Sequence, residues 1–93
     1  MKKAKNLLKE ALQIEKAGAF SIVLECITSK TSELITTKLN IPTIGIGSSN
    51  YCDGQILVTD DMIGLSGFYP KFVKKYASIE RVIEKAVKKY TRE

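Results

Sequence analysis

Two apolar runs separated by a short break constrain this chain most. Ile41-Pro42-Thr43-Ile44-Gly45-Ile46-Gly47 is followed by Cys52-Asp53-Gly54-Gln55-Ile56-Leu57-Val58. Short apolar runs bounded by proline, glycine and an acid-glycine pair read as buried strands joined by a tight loop. Upstream, Ala17-Gly18-Ala19-Phe20 leads into Ile22-Val23-Leu24-Glu25-Cys26, a third apolar run closed by a carboxylate. Strands without polar alternation belong to parallel sheets that are covered on both faces.

The segments around these runs carry helical periodicity. Residues 1–16 place Leu7, Leu8, Ala11, Leu12 and Ile14 largely along one stripe, with Lys2, Lys3, Lys9 and Lys16 mostly outside it. Gly18 is placed to close this helix. A strand is expected over Ser21–Glu25. Thr28–Thr31 offers capping hydroxyls for a helix reaching Leu39, which Asn40 and Pro42 stop. Further strands are expected over Thr43–Ile46 and Ile56–Val58, joined by an irregular loop too short for a helical crossover. Ser66-Gly67 with Pro70 predicts a helix whose apolar side holds Phe72, Val73 and Tyr76. Ser78 heads a last helix in which Ile79, Val82, Ile83, Ala86, Val87 and Tyr90 recur at spacings of three and four. The alternation predicts one α/β domain over residues 1–93, with about three parallel strands and flanking helices.

Composition removes several classes of function. No run approaches the roughly 20 apolar residues of a membrane span, and the lysine-rich start lacks a signal-peptide core, so a cytoplasmic location is expected. The formal charge of +5 invites a nucleic-acid surface. However, the lysines interleave with apolar residues at helical spacing and no aromatic-basic platform accompanies them, which favours solvated helix faces. Cys26 and Cys52 lack CxxC spacing and read as buried or half-buried reduced thiols. There is no histidine, so any acid-base chemistry falls to carboxylates, lysines, tyrosines and thiols.

Glu25 is the sharpest candidate for chemistry. It closes an apolar strand, and in parallel barrels the active site forms at the C-terminal strand ends. A carboxylate set against apolar walls suits a general base, though from the pattern alone a strand-end cap or a lysine partner is the commoner explanation of Glu25. Asp53 reads as a turn residue with Gly54, and Asp60 and Asp61 as loop or cap residues. Gly45 and Gly47 make only a fragment of a phosphate loop. Lys71, Lys74 and Lys75 read as a solvated face.

Taken together, Ala-Gly-Ala-Phe, Val23-Leu24-Glu25-Cys26, Ile41–Gly47, Cys52-Asp53-Gly54-Gln55 and Pro70-Lys71-Phe72-Val73-Lys74 resemble the C-terminal portion of the ketopantoate hydroxymethyltransferase family. That resemblance implies a partial (β/α)8 TIM barrel of about 250 residues when complete. It implies transfer of a hydroxymethyl group from 5,10-methylenetetrahydrofolate to the keto acid 3-methyl-2-oxobutanoate, in pantothenate biosynthesis. It also implies Mg²⁺, bound by acids of earlier strands, so no metal ligand is assigned here. The family's proposed base, which takes the C3 proton, falls on Glu25. Three departures lie near the site. Thr28 stands where the family has proline, Ser48-Ser49 replaces an alanine-glycine pair, and Asp60-Asp61 replaces a histidine-aspartate pair.

These readings leave three alternatives: part of an enzyme, a remnant without activity alone, or an assembly or binding module. An incomplete barrel exposes an apolar inner face and two sheet edges, so self-association or a complementary N-terminal fragment is expected as partner.

Overall fold

The computed structural model describes residues 2–93, and the chain packs as two compact units, Met1–Ile56 and Leu57–Glu93. The first holds α1 (Lys2–Lys16), β1 (Ile22–Glu25), α2 (Ser29–Lys38), β2 (Thr43–Ile46) and β3 (Gly54–Gln55). The strands form one parallel sheet in the order β1-β2-β3. Three parallel strands with flanking helices are what the alternation predicts. The expected start of the first helix at Met1 lies outside the described residues.

Local chemistry explains where α1 stops. Gly18 adopts φ +107°, its N–H donates to Glu15 O at 3.0 Å, and Ala19 N–H reaches Ile14 O at 3.4 Å. This pair of bonds is a Schellman closure, in which a residue without Cβ takes the left-handed position. Glu15 then accepts the N–H groups of Asn40 at 2.6 Å and Ile41 at 3.0 Å, tying the end of α1 to the turn after α2. Thr28 is the N-cap of α2 as expected, but its hydroxyl donates to Thr31 Oγ1 at 3.1 Å instead of capping a backbone amide.

The core of this unit lies between the sheet and the two helices. Ala11, Leu24, Ile35, Leu39 and Cys52 are buried, with Leu7, Leu8, Ile22, Ile27 and Ile41 packed against them. Full burial of a side chain such as Ile35 contributes roughly 1.5–3 kcal/mol. Register puts Thr43 and Gly45 on the same face as Ile22 and Leu24. Val23, Glu25, Ile44 and Ile46 share the other face.

Several expectations need correction. β1 is not buried on both faces, since its burial alternates and Val23 is 53% exposed. Leu12 and Ile14 lie outside the buried part of the α1 stripe. The third strand is Gly54–Gln55 and not Ile56–Val58. Gly54 and Gln55 pair with Ile44 and Gly45, and Ile56 N–H donates a last bond to Gly45 O at 2.9 Å. Ile56 and Val58 are each 51% exposed, so that apolar run marks a surface and not a ladder. Cys26 is exposed, while Cys52 is buried as expected.

The second unit holds α3 (Thr59–Ile63) and α4 (Ile79–Arg92). The helix expected after Ser66-Gly67 and Pro70 does not form. Residues 64–78 run through turns, with Val73 N–H on Pro70 O and Tyr76 N–H returning to Met62 O at 2.7 Å. Helix forms earlier instead, and Gly64 ends it in the left-handed conformation at φ +78°. The last helix runs as expected from Ser78, whose hydroxyl makes no capping bond.

Candidate active site

A parallel sheet gathers the C-terminal ends of its strands at one rim. Here that rim carries Glu25, Ile46 and Gln55. Glu25 is exposed and points from the face that it shares with Val23, so the apolar walls expected around it are not closed. Among the described residues its carboxylate makes no salt bridge, so the lysine-partner reading finds no support in this geometry.

The chain turns sharply after Glu25. Cys26 takes φ +53°, a left-handed value uncommon for a residue with a Cβ. Its N–H donates to Ile46 O at 2.9 Å. Ser48, from the loop after β2, donates its hydroxyl to Leu24 O at 2.6 Å and accepts Ile27 N–H at 2.9 Å. The same loop is tied to β3 by Gln55 Nε2, which donates to Ser49 O at 2.9 Å. A cleft of about 860 Å³ opens beside this turn, lined by Glu25, Cys26, the first turn of α2 and the start of α1. Lys2, Lys3 and Lys30 give its walls positive charge.

The other acids lie elsewhere. Asp53 stands at the opposite rim, where its carboxylate accepts the N–H of Thr43 at 2.9 Å and the hydroxyl at 3.3 Å. In return Asp53 N–H donates to Thr43 Oγ1, which also meets Thr36 Oγ1 at 2.9 Å. Thr43 is fully buried, so this network is structural, and it ties Asp53 to β2 instead of closing the expected turn with Gly54, which opens β3. Asp60 and Asp61 occupy the first turn of α3, where carboxylates oppose the positive end of a helix dipole. Asp61 also accepts the Ser66 hydroxyl. Among the described residues no three His, Cys, Asp or Glu side chains gather as a metal site. Gly45 backs onto Cys52 and Gln55, whose side chains fill the space that a Cβ there would take. Lys75 lies over the Tyr69 ring at 4.6 Å and near Glu80 at 3.9 Å, consistent with a surface role.

Two of the three departures noted in the sequence leave the backbone undisturbed. Thr28 has φ −61° and ψ 157°, values that a proline would also hold. Ser49 has no positive φ, so its Cβ introduces no strain. Ser48 was legible only as a substitution within a glycine motif. Its paired bonds to residues 24 and 27 depend on a contact 21 to 24 residues away in sequence, and no local pattern reports that.

A family model described as ketopantoate hydroxymethyltransferase matches residues 1–93. The chain belongs to that family. It is 57% identical over 91 residues to the 3-methyl-2-oxobutanoate hydroxymethyltransferase of Clostridium beijerinckii, covering 97% of this chain and 33% of that enzyme. The enzyme of the same name from Clostridium kluyveri is 58% identical over 92 residues, covering 98% of this chain and 33% of that protein. That from Enterococcus faecalis is 55% identical over 91 residues, with coverage of 97% and 33%. The chain therefore spans about a third of the length of the curated relatives it matches. The family fold is a TIM barrel, and the three parallel strands are part of it. No described helix is long and apolar enough to cross a membrane.

Proposed function

We propose that this chain contributes the general base of a hydroxymethyl transfer that converts 3-methyl-2-oxobutanoate to ketopantoate, and that Glu25 is that base. The observation that carries the reading is the place of Glu25. It ends β1 at the C-terminal rim, beside a cleft large enough for a small keto acid and free of any ion pair among the described residues. In this reading Lys2, Lys3 and Lys30 attract the anionic substrate to the cleft. One carboxylate oxygen of Glu25 takes the C3 proton, and the electron pair of the broken C–H bond passes into the enolate. The carbon so activated would then form the new C–C bond to the donor's methylene carbon, whose two C–N bonds to the folate break, with water giving the hydroxyl oxygen. 5,10-Methylenetetrahydrofolate supplies the one-carbon unit when bound.

Magnesium fits the described residues poorly. A hard cation of this kind takes oxygen ligands, commonly one or two carboxylates together with substrate oxygens and water. Among the described residues the cleft offers Glu25 as its only carboxylate, with Lys2, Lys3 and Lys30 also in its lining. No step here is routed through the metal, and the activity is proposed for an assembly that joins this segment to complementary barrel strands.

The test mixes the 93-residue chain with the remaining two-thirds of the C. beijerinckii enzyme and follows ketopantoate formation. The chain by itself is expected to give none above background, and the mixture to give transfer. Glu25→Gln keeps the shape but accepts no proton, and removal of a general base lowers rate by about 10²–10⁴-fold. Association of the two pieces should be unchanged. Near-normal turnover in the Gln variant would move the base elsewhere. A second reading, an assembly module without chemistry, is favoured by α4, on which Val82, Ile83, Val87 and Tyr90 are half-exposed or more. Tight association without any turnover would support it.

A further inference from the structure

The bond between Asp53 and Gly54 is the only Asp-Gly or Asn-Gly link in the chain. Such links are chemically fragile, because glycine carries no side chain to shield its amide nitrogen from the carboxyl group before it. The sheet favours glycine at this place. Gly54 opens β3 opposite Ile44, and a Cβ built on it would stand 3.1 Å from Ile44 Cδ1. Asp53 is equally committed, since its carboxylate accepts the Thr43 N–H at 2.9 Å and the Thr43 hydroxyl at 3.3 Å. Its own N–H donates back to Thr43 Oγ1 at 3.2 Å. Asp53 is exposed and Gly54 half-buried, so solvent has access to the link.

We propose that Asp53-Gly54 is a site of spontaneous backbone modification, to a succinimide and then to isoaspartate, and that pairing with β2 holds the reaction off. In the first step Gly54 N forms a bond to Asp53 Cγ. The carboxyl group, protonated from solvent, gives up its hydroxyl and the nitrogen gives up its proton, and the two leave as water. A second water then opens the ring. Attack at the side-chain carbonyl restores aspartate. Attack at the main-chain carbonyl breaks the original peptide bond and leaves the chain running through Cβ, one carbon longer. In the folded sheet both reacting groups are occupied, the carboxylate by Thr43 and Gly54 by the ladder opposite Ile44. Ring closure needs the carboxyl carbon to leave Thr43 and swing onto Gly54 N, so its rate follows opening of the β2–β3 pair. β3 pairs through two residues only, and so short a ladder opens at low cost. Once the extra carbon lies between residues 53 and 54, Gly54 and Gln55 no longer align with Ile44 and Gly45. A transient opening becomes permanent.

The test incubates the full chain in warm, near-neutral buffer. Isoaspartate at residue 53 is counted by peptide mass mapping and by methyl transfer from a carboxyl methyltransferase specific for isoaspartate. Wild type is expected to form it slowly in buffer and much faster in denaturing urea. Thr43→Val removes one hydrogen bond to the charged carboxylate, and the rate in buffer should rise about tenfold. Thr43→Ser keeps the hydroxyl and should match wild type, all three should react alike in urea, and Asp53→Glu should give no product. In converted chain the Ile56 amide, which donates to Gly45 O, should lose its exchange protection while that of Leu39 stays. Should Thr43→Val fail to fold, wild type in graded urea decides, since isoaspartate must then rise in step with Ile56 exchange. The proposal is overturned if wild type reacts as fast in buffer as in urea, or if folded Thr43→Val matches wild type in buffer. It is overturned equally if the variants still differ in urea, if no isoaspartate forms there, or if converted chain keeps Ile56 protected.

Discussion

Thr43 shows how much one buried hydroxyl can organise. Its Oγ1 meets Thr36, Asp53 N–H and the Asp53 carboxylate at the N-terminal rim, and Thr43 itself is fully buried. Thr43→Val keeps the shape but strands these partners, and leaving a buried group unsatisfied costs about 1–3 kcal/mol. The urea midpoint of the sheet should fall accordingly, while the amide exchange of Ile27 at the opposite rim stays as it was. A midpoint that does not move would mean that water replaces the hydroxyl. At this scale the sequence was partly legible. Glu25 stood out because a charge closing an apolar run is conspicuous. Asp53 read as structural, but as a turn residue with Gly54, whereas Gly54 opens β3 and the Asp53 carboxylate is spent on Thr43 ten residues away. The exposure of Cys26 was not legible, because a thiol in an apolar run looks buried until the left-handed turn after Glu25 throws it outward.

Among elements, those with strong periodicity or a distinct terminator were legible: α1 with its Gly18, α2 from Thr28 to Leu39, and α4 after Ser78. β3 was misplaced because a ladder is made by backbone, which hydrophobicity does not report, and the apolar Ile56 and Val58 lie half-exposed beyond it. Gly54 and Gln55 pair well despite being poor strand formers. The helix expected beyond Pro70 failed for a similar reason. Phe72, Val73 and Tyr76 have the spacing, but Tyr76 N–H is committed to Met62 O and Gly64 has already ended the helical run. Gly64→Ala should therefore disturb residues 57–93 more than a surface change would. The left-handed conformation costs a Cβ-bearing residue roughly 1–2 kcal/mol, and here the new Cβ also runs into Ala77 O. Loss of helical signal at lower urea, with sheet amides of the first unit unaffected, is the expected result.

For the chain as a whole, association is the expected consequence of a sheet that α1 and α2 cover on one face only. Val23, Ile44 and Ile46 line the face away from α1 and α2, and β1 and β3 have no outer neighbour among the described residues. Covering about 400 Å² of such surface at roughly 25 cal/mol/Å² is worth on the order of 10 kcal/mol before association costs. Light scattering on dilute chain should find species larger than a monomer, and Val23→Lys should shift them toward monomer. A monomer whose unfolding ignores concentration would show that the face is covered from within. Finally, the two thiols differ in exposure, and each marks a different event. Cys26 stands open at the rim of the proposed site, and Cys52 is 7% exposed in the core. An alkylating reagent will therefore label the first at once and the second only when the sheet opens. The ratio of the two labelling rates is a stopwatch for opening of the core, and slower labelling of Cys26 alone would register a ligand settling in the cleft.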